Sequence, residues 1–417
     1  MELKRVVVTG LGTINSLGHD LNETWENMRK GTSGADKITS FDASNFKTQF
    51  ACEVKNYDPL RYFKKPEARK MDKFVQFALI ASDEAVKDAG FNKEELNLDR
   101  AGVIWGSGIG GLQTFKDEIA NYIDNQGIPK FNPFFIPKMI PDIASGHISI
   151  RNGFRGPNYG TVSACASSTH ALIDAFNLIR LGKADVFISG GSEAAITEAG
   201  VGGFNAMRAI STRNDDPKTA SRPFDAGRDG FVMGDGGAAL ILEEYEHAKK
   251  RGAKIYAEFV GGGLSGDAHH ITAPHPEGRG AAMVMQSALE EAGLAPQDID
   301  YINLHGTSTG LGDIAEPKAV LNVFGEHAYK LSISSTKSMH GHLLGGTGAL
   351  EALASIMAMN TGEIPPTINH FELDPQIDEK LDFTFNKSKK REVRAVLSNT
   401  FGFGGHNASV IFKKMED

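Results

Sequence analysis

An α/β fold follows from three observations. Short apolar runs, glycine turns and helical periodicity alternate along all 417 residues. The 47 glycines gather behind apolar runs and not in low-complexity blocks. Hydrophobic content of 41% with 23% charged residues is ordinary for a soluble globular chain. The length holds two or three average domains or one large α/β unit. Two cysteines do not suggest a disulfide framework, so a reducing, cytoplasmic setting is expected. The chain enters a strand directly, with no charged leader and no apolar run of membrane-spanning length, so neither a signal peptide nor a span is expected. The formal charge of -8 argues against a general nucleic-acid binder.

The elements read in order. Strand Val6–Gly10 meets the turn Leu11-Gly12, and a helix covers Leu21–Lys30. Strand Ala101–Trp105 leads through Gly106–Gly111 to a helix from Leu112, and Asn158–Val162 is a further strand. From Ser167, the residues Ala171, Leu172, Ala175, Phe176 and Ile179 keep helical spacing. Strands Asp185–Ser189 and Ala238–Leu242 follow, the first ending at Gly190-Gly191. Between them, Ser211–Asp229 reads as a structured polar loop with most of its charges solvated. A second series runs from strand Ile255–Val260 and the turn Gly261-Gly262-Gly263 through helix Ala281–Ala292, strand Tyr301–Leu304 and helix Ala315–Phe324. It continues with strand Leu331–Ser334, a helix over Gly348–Met359, and strands Ala395–Ser398 and Ala408–Phe412. Val-Thr-Gly-Leu-Gly opens the first series and Val-Gly-Gly-Gly-Leu the second, which is compatible with two like halves, 1–250 and 251–417.

Cys165 is the most informative residue. It lies in Thr161-Val162-Ser163-Ala164-Cys165-Ala166-Ser167-Ser168-Thr169-His170, where a strand turns through small residues into a helix. With Ser167 or Ser168 as N-cap, its sulfur stands at the positive helix end, which favours thiolate, the nucleophilic form. A free Cys is equally well an inert buried hydrophobe. Three further clusters bear on the choice. One strand ends at His305-Gly306-Thr307-Ser308-Thr309-Gly310, and a His at such an end faces a cleft or is hydrogen-bonded structurally. Lys337 and His342 share the glycine-bounded turn of Ser334–Gly346, with Glu351 further along a helix. Glycines around Phe401 and Phe403 in Ser398–Asn407 expose N–H donors suited to an oxyanion hole; the alternative is a plain turn with two core aromatics.

These four segments together resemble the β-ketoacyl-[acyl-carrier-protein] synthases, most closely the elongating, synthase 2 type of dissociated fatty acid synthesis, nearly end to end. The resemblance implies a thiolase-like fold, two similar halves stacked as αβαβα layers in a homodimer. It implies an acyltransferase without an organic cofactor, whose partner is acyl carrier protein. Cys165 would accept the acyl group and, with Phe401, supply oxyanion N–H donors. His305 and His342 would hold the malonyl thioester carbonyl as carbon dioxide leaves, giving an enolate that attacks the acyl group in a Claisen condensation. Lys337 would tune and hold His342, and Phe401 would gate the two steps. Thr307 and Thr309 match pantetheine-binding positions, and Ile109 and Phe204 match the acyl pocket. Arg61, Lys64, Lys65, Arg69, Lys70 and Arg208 would dock the acidic carrier. Asn303, Glu351, Ser398 and Asn407 match positions where some relatives hold a monovalent cation.

Three departures from the usual pattern stand out: Gly310 for Pro, His340 for Thr, and Asp235 for Glu. A polyketide-type ketosynthase or synthase 1 shares the same residues. The initiating synthase 3 type uses Cys/His/Asn instead, and a non-catalytic chain-length factor typically lacks the cysteine. From another class, Cys165, His305, His340 and His342 could form a zinc site, although Lys337 would repel the ion.

Overall fold

The computed structural model describes residues 3–92 and 94–415. Among them, ten strands form one mixed sheet: β1 (Val6–Asn15), β2 (Ala101–Gly106), β3 (Asn158–Thr161), β4 (Val186–Glu193), β5 (Gly236–Glu244), β6 (Ala257–Gly266), β7 (Tyr301–Asn303), β8 (Ser332–Ser334), β9 (Ala395–Gly402) and β10 (His406–Lys413). The spatial order is β8-β7-β9-β10-β6-β1-β5-β4-β2-β3. The first wing has β2 parallel to β3 and β4, then β4 antiparallel to β5 and β5 to β1. The second repeats it: β7 is parallel to β8 and β9, β9 antiparallel to β10, and β10 to β6. The wings join where Val6–Val8 pair with Ala257–Phe259.

Five helices complete the layers: α1 (Lys73–Ala89), α2 (Ser167–Arg180), α3 (Arg279–Ala292), α4 (Gly312–Phe324) and α5 (Thr347–Thr361). α1 lies on β1, β4 and β5, and α3 on β6 and β10. Between the wings, α2 and α5 pack on one another, and each touches strands of both halves. Three apolar cores match this layering, one under α1, one under α3 and α4, and one around α2 and α5. This is the thiolase-like arrangement, and it carries the start of α2 and the approach to α5 toward each other.

The glycines read as turns at 12 and 261–263 lie inside strands, as does Gly10. They permit helix backbone to rest directly on the sheet. A Cβ on Gly10 or Gly12 would stand 2.3 Å from Ala85 O or 2.2 Å from Ala81 O of α1. On Gly261 or Gly263 it would stand 2.4 Å from Ala288 O or 2.0 Å from Val284 O of α3. The 211–229 segment is a loop as expected, but three of its charges turn inward. Arg222 and Asp225 are buried, and the Arg228 side chain, 3% exposed, pairs with Asp313 and Asp374.

Candidate active site

β3 delivers the chain to a tight elbow. Ala164 takes a left-handed φ of 50°, Cys165 follows, and α2 begins at Ser167 with Ala166 as N-cap. The expected serine cap is absent because both hydroxyls are used elsewhere. Ser167 Oγ donates to Ala164 O at 2.7 Å and accepts from Ser163 N–H at 2.9 Å. Ser168 Oγ accepts from Ala349 N–H of α5 at 3.0 Å. Gly402, at the end of β9, packs against this elbow, where a Cβ would lie 2.7 Å from Ser163 O.

Cys165 Sγ lies 3.1 Å from Nε2 of His342. Burial pushes the thiol up to about 12, against the Lys337 charge and the N–H of Phe403, which favour thiolate. Desolvation is the largest of these effects, so burial favours the thiol where the sequence pointed to thiolate. The His342 ring stands edge-on to that of His305, centroids 5.4 Å apart. Burial first, and then the Lys337 charge, hold both imidazoles well below the usual histidine range, so both are neutral. His342 Nδ1 meets the Thr347 hydroxyl at 2.9 Å. The Glu316 carboxylate anchors the other histidine, accepting N–H bonds from His305 at 2.8 Å and Gly306 at 2.9 Å. Among the described residues, Nδ1 of His305 is buried with no partner.

Lys337 is 1% exposed and forms an ion pair with Glu351. Its charge acts on His342 from that position. His340 does not join the other histidines. Its Nδ1 is 2.6 Å from Gly341 O and its Nε2 3.0 Å from Thr336 Oγ1, so the Cys165/His305/His340/His342 zinc set is not assembled. Burial and Lys337 push His340 down to about 3, leaving it neutral. The N–H beside Sγ is that of Phe403. Phe401 pairs with Asn407 in the β9–β10 ladder and holds its ring at a tilt of 55° to that of His305, centroids 5.5 Å apart. Both flank Gly402 in sequence, so only the backbone path separates their parts.

A cavity of about 570 Å³ opens over these groups, lined by Cys165, His305, His342, Phe401 and Phe403. Ile109, Phe204, Thr307, Thr309 and Arg208 line it too. The Thr307 and Thr309 hydroxyls are 2.9 Å apart. Gly310 does not loosen this loop, because Arg228 donates to Thr309 O at 3.0 Å and Gly310 O at 2.9 Å. Arg61, Lys64, Lys65, Arg69, Lys70 and Arg208 are all exposed. The four cation positions do not converge. Ser398 stands opposite Asn303, whose Oδ1 is buried without a partner among the described residues, and Lys337 already meets Glu351. Asn407 lies three ladder positions from Ser398's partner Val410, roughly 10 Å away, and donates to Asp267 at 2.8 Å.

Comparison with known proteins gives two family matches. Residues 3–248 match the β-ketoacyl synthase N-terminal domain, and residues 256–371 match its C-terminal domain. The 3-oxoacyl-[acyl-carrier-protein] synthase 2 of Staphylococcus aureus (strain COL) is 49% identical over 413 residues, 99% of each chain. A β-ketoacyl synthase from Burkholderia phymatum STM815 superposes with a TM-score of 0.91 at 36% identity, covering 99% of this chain and 100% of that one. A type II polyketide ketosynthase, AntDE, solved with its acyl-carrier protein AntF, gives 0.90 at 31% identity with the same coverage.

Proposed function

The chain belongs to the β-ketoacyl synthase family, and from that premise we propose how its site works. It is an acyltransferase that condenses malonyl-[acyl-carrier protein] with an enzyme-bound acyl thioester in fatty acid elongation. The observation carrying this reading is the 3.1 Å contact between Cys165 Sγ and His342, with His305 beside it.

Acyl transfer comes first. His342 Nε2 takes the thiol proton as Sγ attacks the acyl thioester, and that proton leaves on the departing pantetheine sulfur. The N–H groups of Cys165 and Phe403 hold the oxyanion. Malonyl thioester then enters with its carbonyl on the two neutral imidazoles. Its carboxylate carbon–carbon bond breaks, carbon dioxide leaves, and the electron pair becomes an enolate. Two N–H donors in a site of low dielectric suit that charge. The Thr347 hydroxyl both donates and accepts, so it supports either His342 tautomer. The enolate carbon attacks the acyl carbonyl, the Cys165 thiolate leaves and is reprotonated, and the 3-oxoacyl product departs two carbons longer. Burial, and then the Lys337 charge, keeps both rings neutral.

Thr307 and Thr309 hold the pantetheine arm. Ile109 and Phe204 line the acyl path, where each buried methylene is worth about 0.8 kcal/mol. The carrier protein docks at Arg61, Lys64, Lys65, Arg69, Lys70 and Arg208. Residues 1–250 supply the nucleophile, and residues 251–417 supply both histidines and the lysine. We extend the reading to a homodimer, supported by the free edge of β3 and the exposed Phe115, Ile123, Phe131 and Ile136. A cytoplasmic setting fits two free cysteines; among the described residues no helix is long and apolar enough to cross a membrane. Steady-state assays with acyl- and malonyl-carrier protein test the assignment. Cys165→Ala abolishes condensation, and His305→Ala or His342→Ala slows malonyl decarboxylation by roughly two to three orders of magnitude. Full activity in Cys165→Ala refutes it.

A further inference from the structure

Glu193 ends β4 and is fully buried, yet among the described residues no ion pair reaches it. Five donors from two separate segments meet its carboxylate instead. Ser107 Oγ–H at 3.0 Å, and the N–H groups of Ile109 and Gly110 at 3.2 Å each, donate to Oε1. The N–H groups of Gly108 at 2.7 Å and Gly345 at 3.1 Å donate to Oε2. One segment places Ile109 in the cavity wall; the other is the turn that carries His342. The segments touch through backbone, since a Cβ on Gly345 would stand 2.1 Å from Gly108 N. Leu344, next to Gly345, is held at a left-handed φ of 47°, a conformation that persists only where its surroundings impose it. Charge-assisted bonds of this kind are roughly twice as strong as neutral ones, so the carboxylate is the strongest link between the two segments.

We infer that Glu193 is a positioning residue that ties the acyl-pocket loop at Ile109 to the His342 turn, so that acyl-chain length and imidazole placement are set through one carboxylate. The inference rests on the condensing reading above. A long acyl chain pressing on Ile109 loads Gly108, and the same oxygen that holds Gly108 holds Gly345.

The test compares full-length wild type with Glu193→Gln. Cys165 acylation is followed by intact mass, using acyl-pantetheine thioesters of graded length, and decarboxylation is followed with malonyl-pantetheine. Displacing a positioning group by about 1 Å costs on the order of a hundredfold in rate. In Glu193→Gln, acylation by the longest chains therefore falls by about tenfold to a hundredfold, short chains lose less, and decarboxylation falls as well. An unchanged length profile, or a changed profile with intact decarboxylation, overturns the inference. If Glu193→Gln does not fold, Ser107→Ala carries the test, because it removes one donor on the acyl side alone. A shifted length profile supports the inference, and a superimposable one overturns it. Failure of wild type to acylate at all would instead refute the condensing reading.

Discussion

At the residue scale, the site combines a buried sulfur with two uncharged rings, and a buried cation adds to burial in keeping the rings uncharged. Removing that cation has a signed consequence. In Lys337→Met with Glu351→Gln, both imidazoles rise toward their ordinary value, because a charge that lowers them is gone. The acid limb of the malonyl decarboxylation pH profile then moves to higher pH; a move to lower pH, or none, would show that Lys337 acts by packing alone. Cys165, His305, Lys337 and His342 were legible in sequence, since each follows a strand, Cys165 in a turn of small residues and the others beside glycines. The part of Phe403 was not, because it lies two residues beyond Phe401 across Gly402 and the path of the backbone decides which N–H meets the sulfur. Nor was the thiol form of Cys165: helix-end position is visible in sequence, whereas desolvation depends on α5 and β9 closing over the elbow.

At the scale of elements, the strands' glycines set how closely helices approach. Gly263→Ala places a methyl 2.0 Å from Val284 O and destabilises the fold by about 1–3 kcal/mol, read from urea unfolding. Gly310→Ala meets nothing within 4 Å and changes stability by less than about 0.5 kcal/mol. Equal effects of the two would contradict the close-packing account. The same glycines explain why strand ends were read short, since glycine marks a turn in sequence and a helix contact here. Helix α1 escaped the periodicity argument for a related reason: Phe74–Ser82 are buried without a break, so it has no polar stripe to betray its period. Alternation of strands and helices, by contrast, was plain because α2 and α3 show helical spacing of their apolar residues and α5 begins behind a glycine-rich connection.

Across the whole molecule, two matching wings enclose one mixed layer of helices, and burial of charge makes stability depend on pH. Asp235 is pushed up to about 7 by burial, against the pull of Lys73 and the Ile196 N–H. Its folded value exceeds the ordinary one, so its contribution is present below about pH 4 and lost as pH rises through 7. Asp235→Asn therefore flattens thermal stability across that window and stabilises the protein above pH 7, on the order of 2 kcal/mol; a variant less stable there contradicts the burial argument. Condensation on one sulfur is the central claim, and a pulse–chase followed by peptide mass mapping tests it most directly. After a pulse of acyl-carrier protein, the acyl mass sits on the Cys165 peptide and not on Cys52, and a malonyl-carrier chase removes it into product two carbons longer. Label on Cys52, or an acyl-Cys165 that survives the chase while product forms, would contradict the account.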